Sequence, residues 1–90
     1  MNFLESYKFL SYHPIFMQDH VGGGRHRGYF LECLDIDVEQ INSATRVHLR
    51  CGRYAYGYDK DLEVYAKTFE KGIIELADRV KSKYGDYEDV

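Results

Sequence analysis

The stretch LDIDVEQINSATRVHLRC, residues 34–51, decides the fold. Leu34, Ile36 and Val38 alternate with Asp35, Asp37 and Glu39. After the polar pair Asn42 and Ser43, Val47, Leu49 and Cys51 alternate with Arg46, His48 and Arg50. A period of two marks a half-buried strand, because successive side chains point to opposite faces of a sheet. A turn centred between Asn42 and Ser43 opposes Glu39 with Arg46, Asp37 with His48 and Asp35 with Arg50. The same register puts Val38 on Val47, Ile36 on Leu49 and Leu34 on Cys51 across the other face. A slip of one residue destroys both matches, so the register is strongly specified.

Continued outward, the hairpin runs over about 29–58, with Glu32 opposite Arg53, Phe30 opposite Ala55, Leu31 opposite Tyr54 and Tyr29 opposite Tyr56. Burial then changes sides along its length: either the hairpin twists so that its two ends bury opposite faces or, as is preferred, a β-bulge near Gly52 restores one face. Downstream, a helix is expected from Asp59 or Asp61, either of which can cap it. Leu62, Tyr65, Ala66, Phe69, Ile73, Leu76, Ala77, Val80 and Tyr84 recur at three- and four-residue spacing and give it one apolar stripe. Gly72 inside that helix costs about 1 kcal/mol relative to alanine, tolerable if it permits close approach of a strand, and Gly85 supplies its stop. Residues 86–90 read as an acidic tail that frays.

Upstream, Phe3, Leu4, Tyr7 and Leu10 fit a short helix with Asn2 and Glu5 at its cap, although Tyr7 to Tyr12 also suits a strand. Pro14 ends that helix, residues 15–21 read as a strand, and Gly22, Gly23 and Gly24 turn the chain. The fold class is therefore α+β: an antiparallel sheet of about three strands, a long C-terminal helix packed on one face, and a short N-terminal helix.

Ninety residues with 44% hydrophobic content suffice for a single domain spanning 1–90. Twelve Lys and Arg against fifteen Asp and Glu give a net charge of -3, too mild to imply a polyanionic ligand. No apolar run reaches membrane-spanning length and no leader pattern opens the chain, so a cytoplasmic protein without membrane association is expected. Cys33 and Cys51 are too few for a disulfide framework, and the register directs them to different faces.

Two constellations stand out as partner-binding candidates. The loop containing Arg25, His26 and Arg27 joins a mobile glycine-rich backbone to groups that grip phosphate or carboxylate, although it has neither the spacing of a phosphate loop nor a following helix. At one end of the hairpin, Tyr29, Arg53, Tyr54, Tyr56 and Tyr58 gather the aromatic chemistry enriched in protein interfaces. Together with Arg46, His48 and Arg50 they also resemble a surface that stacks bases beside phosphates, but the cross-strand carboxylates neutralise much of that charge. The histidines and cysteines have no metal-ligand spacing, and no nucleophile has a recognisable base, so neither metal, cofactor nor catalytic residue is expected. The expected function is that of a small non-catalytic protein-binding module, monomeric or homodimeric. Its size suits an inhibitor or accessory protein of phage or mobile-element type acting on a host protein such as a defence nuclease. Direct nucleic-acid binding is the alternative.

Overall fold

A computed structural model describes residues 1–16, 18–20, 24–26, 30–52 and 57–87, with 18–20 and 24–26 described by their backbone alone. Helix α1 (Phe3–Tyr12) begins at a reciprocal cap. Asn2 Oδ1 accepts from the Glu5 amide at 2.8 Å, and Glu5 Oε1 accepts from the Asn2 amide at 3.3 Å. The helix stops at His13, ahead of Pro14, which opens a short 3₁₀ turn over Pro14–Phe16. Strand β1 (Gln18–His20) pairs antiparallel with β2 (Gly24–His26) in a separate two-stranded ladder; of the strand expected over 15–21, Ile15 and Phe16 fall instead in the 3₁₀ turn, and 17 and 21 lie outside the described residues.

A four-residue helical turn, α2 (Phe30–Cys33), leads directly into β3 (Leu34–Ile41), which pairs with β4 (Ala44–Cys51). All six opposed pairs expected from the alternation are present, from Leu34 opposite Cys51 to Glu39 opposite Arg46. Asn42 and Ser43 both hold positive φ, 51° and 68°, as a two-residue hairpin turn of this twist requires.

The hairpin is shorter than the 29–58 expected. Its ladder ends at Leu34 and Cys51, because residues 30–33 coil and turn Phe30 into the core, fully buried against Tyr7 and Phe16. The change of burial side thus comes from a helical turn over Phe30–Cys33, and the expected partners at 29 and 53–56 lie outside the described residues. Beyond Cys51 the chain returns on itself. The Asp59 amide donates to the Cys51 carbonyl at 2.9 Å, and Gly52 sits against the backbone of Gly57.

The third strand of the sheet is β5 (Val64–Ala66), paired with β4 through His48 and Tyr65, so the strand order is β3-β4-β5. The C-terminal helix α3 (Phe69–Tyr84) consequently starts later than Asp59 or Asp61. Leu62, Val64 and Ala66 satisfy a strand period, as Leu62, Tyr65 and Ala66 satisfy a helical one, and Thr68 breaks the helical stripe by capping. Its Oγ1 accepts from the Lys71 amide at 3.2 Å. Asp59 instead caps a 3₁₀ turn over Lys60–Leu62. Gly85, at φ 79°, ends α3 by donating its amide to the Lys81 carbonyl.

The core lies between α3 and the β4–β5 half of the sheet. Ile73, Leu76, Ala77 and Val80 meet Leu49, Cys51, Leu62 and Val64, all without solvent exposure, at about 1.5–3 kcal/mol for each large side chain buried. Gly72 lets the helix approach: a Cβ there would lie 2.8 Å from Leu49 Cδ1. Helix α1 packs on α3 and closes one end of the core with Leu10 and Phe16.

His13 ties the two termini together. Its Nδ1 accepts from the Ile15 amide at 3.3 Å, which leaves the proton on Nε2 to donate to the Gly85 carbonyl at 3.1 Å. Tyr87, within the stretch read as a tail, rests on Phe9 and His13 and donates to the Phe9 carbonyl at 3.1 Å. Both cysteines are free thiols. Burial pushes Cys51 up to about 12 and raises Cys33 as well.

Candidate functional site

The residues singled out from the sequence fall unevenly across the fold. Arg25 and His26 lie on β2, opposite Asp19 and Gln18, with only their backbone described. Arg27, Tyr29, Arg53, Tyr54 and Tyr56 lie outside the described residues. Tyr58 is 60% exposed, with the Arg50 guanidinium 4.8 Å from its ring centroid. That contact joins the aromatic end of the hairpin to its charged face.

On that charged face, β4 presents Arg46, His48 and Arg50 between two neighbouring strands. Arg46 Nη2 donates to Glu39 Oε2 at 2.6 Å, while Arg50 is bound to Asp35 and lies 3.8 Å from Asp37. The Asp35 hydrogen bond, chiefly, raises the Arg50 guanidinium above its already high range. His48 departs from expectation. It stands opposite Asp37, yet its Nε2 pairs with Glu63 Oε1 at 2.6 Å, and it is 8% exposed where an open strand face was expected.

The difference comes from β5, which the helical reading of 62–66 concealed. Tyr65 stacks flat on His48, with centroids 4.1 Å apart and planes 8° apart, and Arg46 lies 4.3 Å over the Tyr65 ring. Tyr65 also donates to Glu63 at 3.2 Å. The His48 hydrogen bond, above all, holds the Glu63 carboxyl below its usual range. Asp35, Asp37, Glu39 and Glu63 therefore surround Arg46, Arg50 and His48, and among the described residues of this face carboxylates outnumber guanidinium groups two to one. The strand that looks basic in sequence becomes the middle of a net acidic face.

The opposite face is divided. Helix α3 covers β4 and β5 but not β3, so Val47 and Leu49 are buried while their partners Val38 and Ile36 are 67% and 46% exposed. Leu31, on α2 just before β3, is also exposed, as is Ile41, which ends β3 on the charged face. The cause is width. A helix about 10 Å across spans about two strands spaced at roughly 4.8 Å. A three-stranded sheet under one helix leaves an edge strand uncovered. Sequence alternation cannot reveal which strand that is, because Ile36 and Val38 carry the same pattern as Val47 and Leu49. The outer edge of β3 is also unpaired among the described residues, so every second residue of its eight offers a backbone donor and acceptor beside apolar side chains.

Elsewhere, Ser6 Oγ is buried on α1 without a hydrogen-bond partner among the described residues. An open groove between the Lys60–Leu62 turn and α3 is lined by Asp61, Glu75, Asp78, Arg79, Ser82 and Lys83. Within it Lys83 is bound to Asp59 and to Asp61, and Glu75 lies 3.3 Å from Arg79. Among the described residues no group of His, Cys, Asp or Glu is arranged to hold a metal ion, and no helix is long and apolar enough to cross a membrane. In comparisons with family models, curated proteins and solved structures, nothing matched the chain, so the site stands on its own geometry.

Proposed function

We propose that the chain is a non-catalytic protein-binding module that receives an extended segment of its partner along the outer edge of β3. One observation carries the reading: an eight-residue edge strand displays Ile36 and Val38 exposed beside backbone that is unpaired among the described residues. Strand addition satisfies the backbone groups, and alternate side chains of the incoming segment cover the apolar shelf. Long, flat apolar edges are ordinarily blunted in proteins that stay apart, so retention of this one favours a binding role. An inhibitory or accessory role toward a host protein rests on chain size alone. Direct nucleic-acid binding is disfavoured by the net acidic sheet face, since polyanion affinity comes largely from unneutralised cations.

Capture from the native cells with the tagged chain and with Val38→Lys, each with and without nuclease, tests the proposal. The expected partner is a protein that survives nuclease and is lost with Val38→Lys. Val38 is exposed, so this substitution should leave stability within about 0.5 kcal/mol. Equal retention by both proteins, or a complex that dissolves with nuclease, refutes it.

A further inference from the structure

Resting on the reading of β3 as a docking edge, we infer that the segment it receives alternates apolar with basic residues. The two faces of β3 carry different chemistry, and an added strand must answer both, because its successive side chains fall alternately on the same two faces. On one face are Ile36 and Val38, uncovered. On the other are Asp35, Asp37 and Glu39, whose side chains keep 36%, 57% and 37% of their surface in solvent. The arginines of β4 approach these acids from the inner side, and Arg50 is no nearer than 3.8 Å to Asp37. Among the described residues, two guanidinium groups do not balance the four carboxylates of the face, so the charge they present at the open edge is negative. Residues entering beside Ile36 and Val38 are therefore apolar, and those entering beside Asp35, Asp37 and Glu39 are Lys or Arg. Strand β4 already meets the same strand with this pattern from the other side, through Arg46, His48 and Arg50 on one face and Val47, Leu49 and Cys51 on the other.

The same chemistry argues against a second copy as occupant. Antiparallel self-pairing of β3 has two classes of register. In one, Asp37 meets its own symmetry mate and Asp35 meets Glu39, which sets acids against acids. In the other, every acid falls on the side of the partner's apolar shelf. Like charges directly opposed are destabilising, and a carboxylate driven onto an apolar surface loses hydration. A basic and apolar segment meets neither penalty.

Synthetic peptides the length of β3, alternating Val with Arg, Val with Thr or Val with Glu, test the inference on the full chain. Binding is read from amide shifts and hydrogen exchange at residues 35–40, with sedimentation of the free protein alongside. The expected result is a Val/Arg peptide bound about tenfold tighter than Val/Thr, from three new cross-strand ion pairs, with Val/Glu weakest. Asp37→Lys should remove most of that preference, while Val38→Lys weakens all three peptides. Equal binding of the three peptides overturns the basic partner and leaves the docking edge standing. Absence of any response at 35–40, including binding of Val/Arg elsewhere on the chain, overturns both. A dimer with these amides already protected puts a second copy on the edge and overturns the inference.

Discussion

Replacing Gly72 with alanine should reverse the sign of its effect according to what occupies position 49. In the native chain the new Cβ meets Leu49 Cδ1 at 2.8 Å and Cγ at 3.4 Å, while Ala66 Cβ at 3.6 Å is an ordinary neighbour. Leu49 is fully buried on the central strand, so its side chain cannot retreat without displacing other core atoms. Overpacking of this kind costs about 1–3 kcal/mol, against about 1 kcal/mol gained from alanine over glycine inside a helix. The net expectation is a loss of up to about 2 kcal/mol. Leu49→Val removes the offending Cδ1 at a cost of about 1 kcal/mol, small against the roughly 5–13 kcal/mol expected for a domain of this size. In that background Gly72→Ala should stabilise by up to about 1 kcal/mol. Urea unfolding of the four proteins, followed by circular dichroism, yields the coupling energy directly. Equal effects of Gly72→Ala in both backgrounds, within about 0.3 kcal/mol, refute the contact as the reason for the glycine.

Three further outcomes follow from the same geometry. Gly52→Ala should cost more than about 2 kcal/mol, because its Cβ would lie 1.6 Å from the Gly57 carbonyl oxygen. Gly57→Ala should cost only about 1–2 kcal/mol, since its φ of 78° meets open space, and unfolding midpoints of the two variants check the order. Burial depresses His13 below its ordinary 6.5, so its contribution to stability is present above that value and is lost as pH falls through the lower folded-state value. Urea midpoints measured downward from neutral pH should decline less steeply in His13→Gln than in the native chain. Asp59 accepts from Lys83, Tyr84 and the Asp61 amide, and the Lys83 ammonium, first among these, holds its carboxyl below the usual range. Asp59→Asn should therefore destabilise by about 1 kcal/mol near neutral pH, and the deficit should shrink as acid protonates the native carboxyl.

What the sequence discloses and what it hides divide along a physical line. The hairpin register was legible to the residue because two conditions, ion pairing on one face and apolar pairing on the other, agree on one alignment. The caps at Asn2 and Gly85 were legible because each is a local event of a few residues. Residues 62–66 were not, because Leu62, Tyr65 and Ala66 fit a helical stripe while Leu62, Val64 and Ala66 fit a strand. Only the pairing of His48 with Tyr65, an event between segments, selects the strand. The partner of His48 was lost with it, since Glu63 reaches the imidazole only from β5.

The candidate site was hidden for a related reason. Alternation in 34–38 records that one face of β3 is apolar, but not whether anything lies over it, and coverage is decided by the placement of α3. With α3 seated by Gly72 against Leu49 of the central strand, its width extends over β5 and stops short of Ile36 and Val38. Filling position 72 thus bears on the site as well as on stability. A helix lifted or shifted by a methyl group changes the wall beside the β3 shelf without touching a residue of the edge. If Gly72→Ala is as destabilising as the contact implies yet leaves exchange at residues 35–40 unchanged, the edge is independent of how the helix is seated. If those amides respond, the glycine that permits close packing also sets the boundary of the surface that β3 exposes.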